Sequence, residues 1–188
     1  LKKKKKYGLV WENKPEDVVE MCKEKLPVLK EVKNKEIITD KNKPINLLIE
    51  GDNYHALSVL NYTHRGKIDL IYIDPPYNTG AKDWLYNNSF VDNEDPFRHS
   101  KWLSFMHSRL KLAKNLLSQN GILAVAIDHY ELLSLGLMTD EIFGEDNRLA
   151  IVTVVHKAEG RQFVKGFNPT CEFMLLYAKD KTKCTVNM

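Results

Sequence analysis

An open α/β sheet, mostly parallel and finished by antiparallel late strands, is the fold the sequence predicts. Short apolar runs at residues 46–50 (NLLIE), 68–73 (IDLIYI) and 122–127 (ILAVAI) are bounded by turn residues, as buried strands are. The segments between them are long enough for helical crossovers, and strand–helix alternation builds a parallel sheet. Two further apolar runs, 149–155 and 173–178, flank a polar, glycine-containing loop and can pair antiparallel.

Composition narrows the class. A chain of 188 residues supports one sizeable core and not two. With 43% hydrophobic and 28% charged residues, wholesale disorder is excluded. No apolar run reaches the roughly 18–20 residues of a membrane span. The basic N-terminus has no apolar stretch behind it, so a secretory signal is not expected and a cytoplasmic location is. Cys22, Cys171 and Cys184 are too scattered for a metal or disulfide pattern and read as reduced thiols. A net charge of +3 is too small to decide nucleic-acid binding, which must be argued from where the charges lie.

Residues 1–43 read as a basic, helical extension and 44–188 as the main α/β unit. Lys2–Lys6 is a charge run of the kind usually found as a solvated tail, with phosphate contact as the sharper alternative. Spaced apolar positions from Val18 to Val32 predict one or two surface helices broken at Pro27. After the strand at 46–50, Asp52 caps a helix with Ala56, Leu57 and Leu60 on one face. The strand at 68–73 follows, and then a long polar stretch, 78–99, at its carboxyl end. Residues 100–117 form an amphipathic helix with Leu103, Met106, Leu110, Ala113 and Leu117 inward and Lys101, Arg109, Lys111 and Lys114 among the other positions. Asn120-Gly121 stops it. Asp128 caps the next helix, with Glu131 three residues on as its capping-box partner, and Gly144 closes that helix.

The chemistry concentrates at Asp74-Pro75-Pro76-Tyr77, directly after the strand at 68–73. Asp and Pro make ordinary loops. Yet two consecutive prolines fix two φ angles and remove two donors, leaving a stiff turn whose carbonyls need partners from elsewhere. Such a ledge suits an exocyclic aromatic amine, whose lone pair is delocalised into its ring. The Asp74 carboxylate and the Pro75 carbonyl can hold the amine hydrogens and favour a more tetrahedral nitrogen as it attacks a methyl group. Tyr77 offers a face on which a base flipped from the duplex can stack.

With Ile71-Tyr72-Ile73 before it and Asn78-Thr79-Gly80 after it, the tetrapeptide resembles the catalytic motif of amino-methyltransferases acting on DNA. Gly51-Asp52-Asn53 with Ala56-Leu57, Ser100-Lys101-Trp102-Leu103-Ser104-Phe105-Met106 and Asp140-Glu141-Ile142-Phe143-Gly144-Glu145-Asp146-Asn147 resemble modification subunits of type III restriction–modification systems, from about Lys6 to Lys181. The resemblance implies an incomplete Rossmann-like methyltransferase sheet. It also implies methyl transfer from S-adenosylmethionine to the exocyclic amine of adenine in double-stranded DNA. Asp74, Pro75, Pro76 and Tyr77 would be catalytic, and Asp52 and Asp74 would contact the cofactor. Tyr77, Asn78, Lys157, Arg161 and Lys165 would meet DNA, the adenine being flipped. It further implies a homodimer and a restriction subunit as partners. The family's Gly-rich cofactor loop, Phe-x-Gly-x-Gly, is not found in this sequence, so the expectation is the catalytic part of a larger protein, lacking that loop and the target-recognition region.

Several readings stay open. Asp52 is a helix cap, a cofactor contact, or both. Asp128 reads better as a cap than as a ligand. Trp102 reads as core, with base contact the minority alternative. Lys157, Arg161 and Lys165 sit in a basic loop that is solvated or touches phosphate. His99 and His107 have no acidic or thiol partner at ligand spacing, so no metal is expected. A non-catalytic module that assembles or holds DNA through its basic segments is the competing function, marked by salt-dependent, sequence-blind binding.

Overall fold

A computed structural model describes residues 8–37, 40, 42–155 and 170–185. Lys2–Lys6 and the loop carrying Lys157, Arg161 and Lys165 lie outside the described residues. The order is helix α1 (Asp17–Glu24), a 3-10 turn at Lys33–Lys35, helix α2 (Asn53–Thr63), strands β1 (Ile68–Ile73), β2 (Ala81–Tyr86) and β3 (Ser89–Asp92), helix α3 (Arg98–Leu116), strand β4 (Leu117–Ile127), helix α4 (Leu132–Phe143), a 3-10 turn at Glu145–Asn147, and strands β5 (Arg148–Val155) and β6 (Cys171–Ala178).

Four strands form the sheet, in the order β1-β4-β6-β5. β1 and β4 are parallel, while β6 runs antiparallel to both β4 and β5. The α/β class and the antiparallel late strands are as expected, but among the described residues only one strand pair is parallel. The reason lies at residues 46–50, which form no strand. Leu47 and Leu48 stand 67% and 98% exposed, with no strand beside them among the described residues. An apolar run becomes a strand only where a neighbour satisfies its backbone groups.

The core forms between the sheet and helices α3 and α4. Leu103, Met106, Leu110 and Ala113 are buried on α3, as their spacing predicts, against Leu123, Val125 and Ile127 of β4, Leu135 and Met138 of α4, and Leu175 and Tyr177 of β6. α3 runs into β4 without a break, and the pairing with β1 slips between Leu117 and Ile122. Gly121 sits in that irregularity rather than beyond the helix end. A Cβ there would come within 2.8 Å of the Ile68 carbonyl, so only glycine lets the two backbones approach this closely. Gly144 closes α4 at φ +97°. Of the helices predicted between Val18 and Val32, α1 forms and ends at Glu24, three residues before Pro27.

The polar stretch after β1 holds a β2–β3 hairpin that the sequence reading did not contain. Asn87 and Asn88 both adopt positive φ, 48° and 62°, which is the backbone of a tight two-residue hairpin turn. Trp84, Tyr86 and Val91 point inward, and Leu85 and Phe90 point out. The hairpin is also tied to the N-terminal segment: Tyr86 donates its hydroxyl to the Lys14 carbonyl at 2.8 Å, and the Asp17 N–H donates to Asn87 at 2.9 Å. Among the described residues no helix is long and apolar enough to cross a membrane.

Candidate active site at the end of the first strand

The strand β1 delivers Asp74-Pro75-Pro76-Tyr77 at its carboxyl end, with Asp74 exposed and Pro75, Pro76 and Tyr77 half-buried. Prolines cannot donate, so the turn is held through its carbonyls, and the holder is Trp102. Its indole N–H donates to the Pro76 carbonyl at 2.7 Å from a fully buried ring on α3. Trp102 is therefore core, as its place in the helix predicts, and also a clasp on the turn. Trp102→Phe keeps the ring packing and removes that donor. It is expected to cost about 1–3 kcal/mol by leaving a carbonyl unsatisfied, read as a lower urea midpoint at unchanged slope. An unaltered midpoint would mean that water replaces the indole at no cost.

Tyr77 directs its hydroxyl toward Glu172 at 3.4 Å. Burial first, and then hydrogen bonding to the Asp74 carboxylate, push this phenol well above its ordinary range, so it remains a neutral donor. The aromatic ring and the carboxylate of the motif are thus held together.

Asn78 departs from expectation. Its side chain is fully buried, with φ at +59°. Its amide oxygen accepts from the Trp84 indole at 3.1 Å and its amide nitrogen donates to Glu131 at 2.5 Å. An amide engaged at both ends in the interior is not presented to DNA, so the expected DNA contact is replaced by an anchor behind Tyr77. The capping box is corrected for the same reason. Asp128 accepts from the Tyr130 N–H at 2.9 Å, a local turn, and α4 starts only at Leu132. Glu131 turns inward to Asn78 and to His99, whose Nδ1 lies 2.5 Å away. His99 thus has an acidic partner after all, supplied by a residue 32 positions distant and invisible to local spacing. Among the described residues no cluster of His, Cys, Asp and Glu is arranged to hold a metal.

Asp52 caps α2, its carboxylate accepting from the Tyr54 N–H at 2.7 Å. It remains partly open to solvent, with 43% of its side chain exposed. Behind it lies a residue that the helical pattern of α3 had set among the non-core positions. Arg109 is 6% exposed and grips Glu16 with both terminal nitrogens, at 2.8 and 2.7 Å. Its Nε donates to Asn53 at 2.5 Å, it lies 3.7 Å from Asp52, and its guanidinium stacks on Phe105 at 3.8 Å. One guanidinium therefore ties the N-terminal segment to the start of α2. The sequence held no signal for this pair, because Glu16 and Arg109 are 93 residues apart.

The chain is 41% identical over 145 residues to a probable type III restriction-modification enzyme HindVI Mod subunit of Haemophilus influenzae, covering 76% of this chain and 18% of that protein. It is 34% identical over 164 residues to the type III restriction-modification enzyme EcoPI Mod subunit of Escherichia phage P1, covering 75% of this chain and 25% of that protein. The chain thus spans only a fifth to a quarter of the length of these relatives. A solved protein of Thermus thermophilus, described as a putative DNA modification methylase, shares the fold, with TM-score 0.50 at 13% identity over 69% of this chain and 51% of that one. The DNA methylase family matches residues 68–187, which include the Asp74–Tyr77 turn, α3, α4 and every strand of the four-stranded sheet, and this chain belongs to that family.

Proposed function

We propose that this chain is the catalytic part of a site-specific DNA methyltransferase of a restriction–modification system, acting on the exocyclic amine of adenine. The observation that carries this reading is the Asp74–Tyr77 turn: an exposed carboxylate and a half-buried aromatic side by side, on a backbone clasped by Trp102. Asp74 and the Pro75 carbonyl accept the two amine hydrogens, which localises the nitrogen lone pair and directs it outward. Tyr77 stacks on the flipped base and excludes water from one face. Nothing in this scheme needs a covalent bond to the protein. The clasped backbone supports it, since positioning contributes most where the groups are already fixed.

S-adenosylmethionine, when bound, supplies a methyl group on a cationic sulfur. The exposed carboxylates of Asp52 and Asp74 suit such a cofactor, being anionic acceptors for its ammonium, hydroxyl and amine groups. Arg109 holds the chain at Asp52 in place from behind. Lys157, Arg161 and Lys165 are proposed phosphate contacts on double-stranded DNA. A second copy of the protein and a restriction subunit are the proposed partners, and the cytoplasm, where cellular DNA is accessible to such an enzyme, the proposed location.

Calorimetric titration of this chain with S-adenosylmethionine tests the reading. Because the Gly-rich loop is not in this sequence the cofactor site is incomplete, so only weak binding is expected in the wild type, weakened about tenfold further in Asp52→Ala by loss of a charged hydrogen bond. Equal affinity in the variant would remove Asp52 from the cofactor site, and no heat at millimolar cofactor would mean that this part of the protein does not bind the cofactor by itself.

A further inference from the structure

We propose that Glu131 is a positioning residue for the Asp74–Tyr77 turn, acting through Asn78. The proposal rests on the reading that this turn bears the chemistry, and it gives Glu131 and His99 a part in holding it. Glu131 is fully buried at the start of α4, with one oxygen shared between Asn78 and His99, each at 2.5 Å. Its other oxygen, Oε2, is buried with no hydrogen-bond partner among the described residues. A carboxylate so placed is costly, and helix capping does not explain it, because its side chain makes no cap bond to α4. Its effect is on Asn78, which follows Tyr77 directly and adopts φ +59°. A non-glycine residue there must be held from both ends, and Asn78 is: Glu131 takes its nitrogen and Trp84 supplies its oxygen with a donor.

The groups around Glu131 come from every side. Asn78 lies on the turn, Trp84 on β2 and His99 on α3, with Arg98 donating to the second ring nitrogen of His99 at 3.2 Å. Trp102 reaches the Pro76 carbonyl from the same helix as His99. The turn is therefore fixed at two points, its Pro76 carbonyl by Trp102 and its exit by Asn78, and Glu131 sets the second.

The three tryptophans make this testable without cofactor or DNA. Each indole N–H has one acceptor: Trp11 donates to Ser104 at 3.3 Å, Trp84 to Asn78 at 3.1 Å and Trp102 to Pro76 at 2.7 Å. In the nitrogen-15 tryptophan spectrum of the full chain, Glu131→Gln is expected to move the Trp84 and Trp102 indole signals by more than their linewidths. Trp11 should stay still. In an Asn78→Ala background the same change should no longer move Trp102, because the coupling runs through Asn78. If Glu131→Gln does not fold, His99→Gln unseats the same oxygen from an exposed position and should move the same two signals. An unmoved Trp102 in the folded variant, or an equal shift with Asn78 absent, overturns the proposal. The readout is conformational, so failure of cofactor binding leaves it standing, and its own failure leaves the reading of Asp74 intact.

Discussion

Arg109→Ala lowers the unfolding free energy by about 3–5 kcal/mol, the range expected when one partner of a buried ion pair is removed. The magnitude follows from what is left behind. Glu16, 8% exposed, would keep a buried carboxylate that had accepted two charge-assisted hydrogen bonds. Asn53 would lose the donor to its side-chain oxygen, and Phe105 would lose the guanidinium stacked on its face. The simultaneous Glu16→Gln, Arg109→Met variant separates the two contributions. It removes both charges and refills the volume, so it should recover most of the lost stability. Urea denaturation monitored by tryptophan fluorescence measures both variants. A loss below about 1 kcal/mol in Arg109→Ala would show that Glu16 escapes to water and that the N-terminal segment is not fastened through this pair.

Much of the sheet was legible because its strands are continuous apolar runs and its longest helix repeats at three and four. Residues 68–73 and the inward face of α3 fall where periodicity puts them. The 46–50 run was misread for a reason local pattern cannot contain: whether a strand forms depends on a neighbour from elsewhere in the fold. The β2–β3 hairpin was missed for the opposite reason. Its turn signal, Asn87-Asn88, was present, but the flanking strands are too short and too mixed in polarity to stand out. At the candidate site the motif itself was plain, as was the need of its carbonyls for outside partners. The residues that hold it were not. Trp102, Glu131, His99 and Arg109 act across 26, 53, 32 and 93 positions. Glu131 also had a convincing local role as a cap partner that the interior network displaced.

On the proposed function, and in a protein that also carries the cofactor loop and target-recognition region, Asp74→Asn should reduce methyl transfer from labelled S-adenosylmethionine to adenine in duplex DNA by about 10²–10³-fold, the loss typical of removing one preorganised hydrogen-bonding group from a transition state. The substitution is nearly isosteric and lies at an exposed position, so stability should change by less than about 0.5 kcal/mol. What changes is the character of the ledge. A carboxylate only accepts, so either of its oxygens can take the amine hydrogen that the Pro75 carbonyl does not. A carboxamide presents its own hydrogens on one side, and in that orientation it repels the amine it should hold. The partner of Tyr77 changes in the same step, because Asp74 is one of the acceptors of its hydroxyl. If the loss lies in kcat with KM for DNA little altered, Asp74 acts on the nitrogen in the transition state. If KM rises and kcat stays, the carboxylate only helps to seat the base. A rate equal to that of the wild type would exclude Asp74 from the chemistry and leave the clasped turn a structural corner.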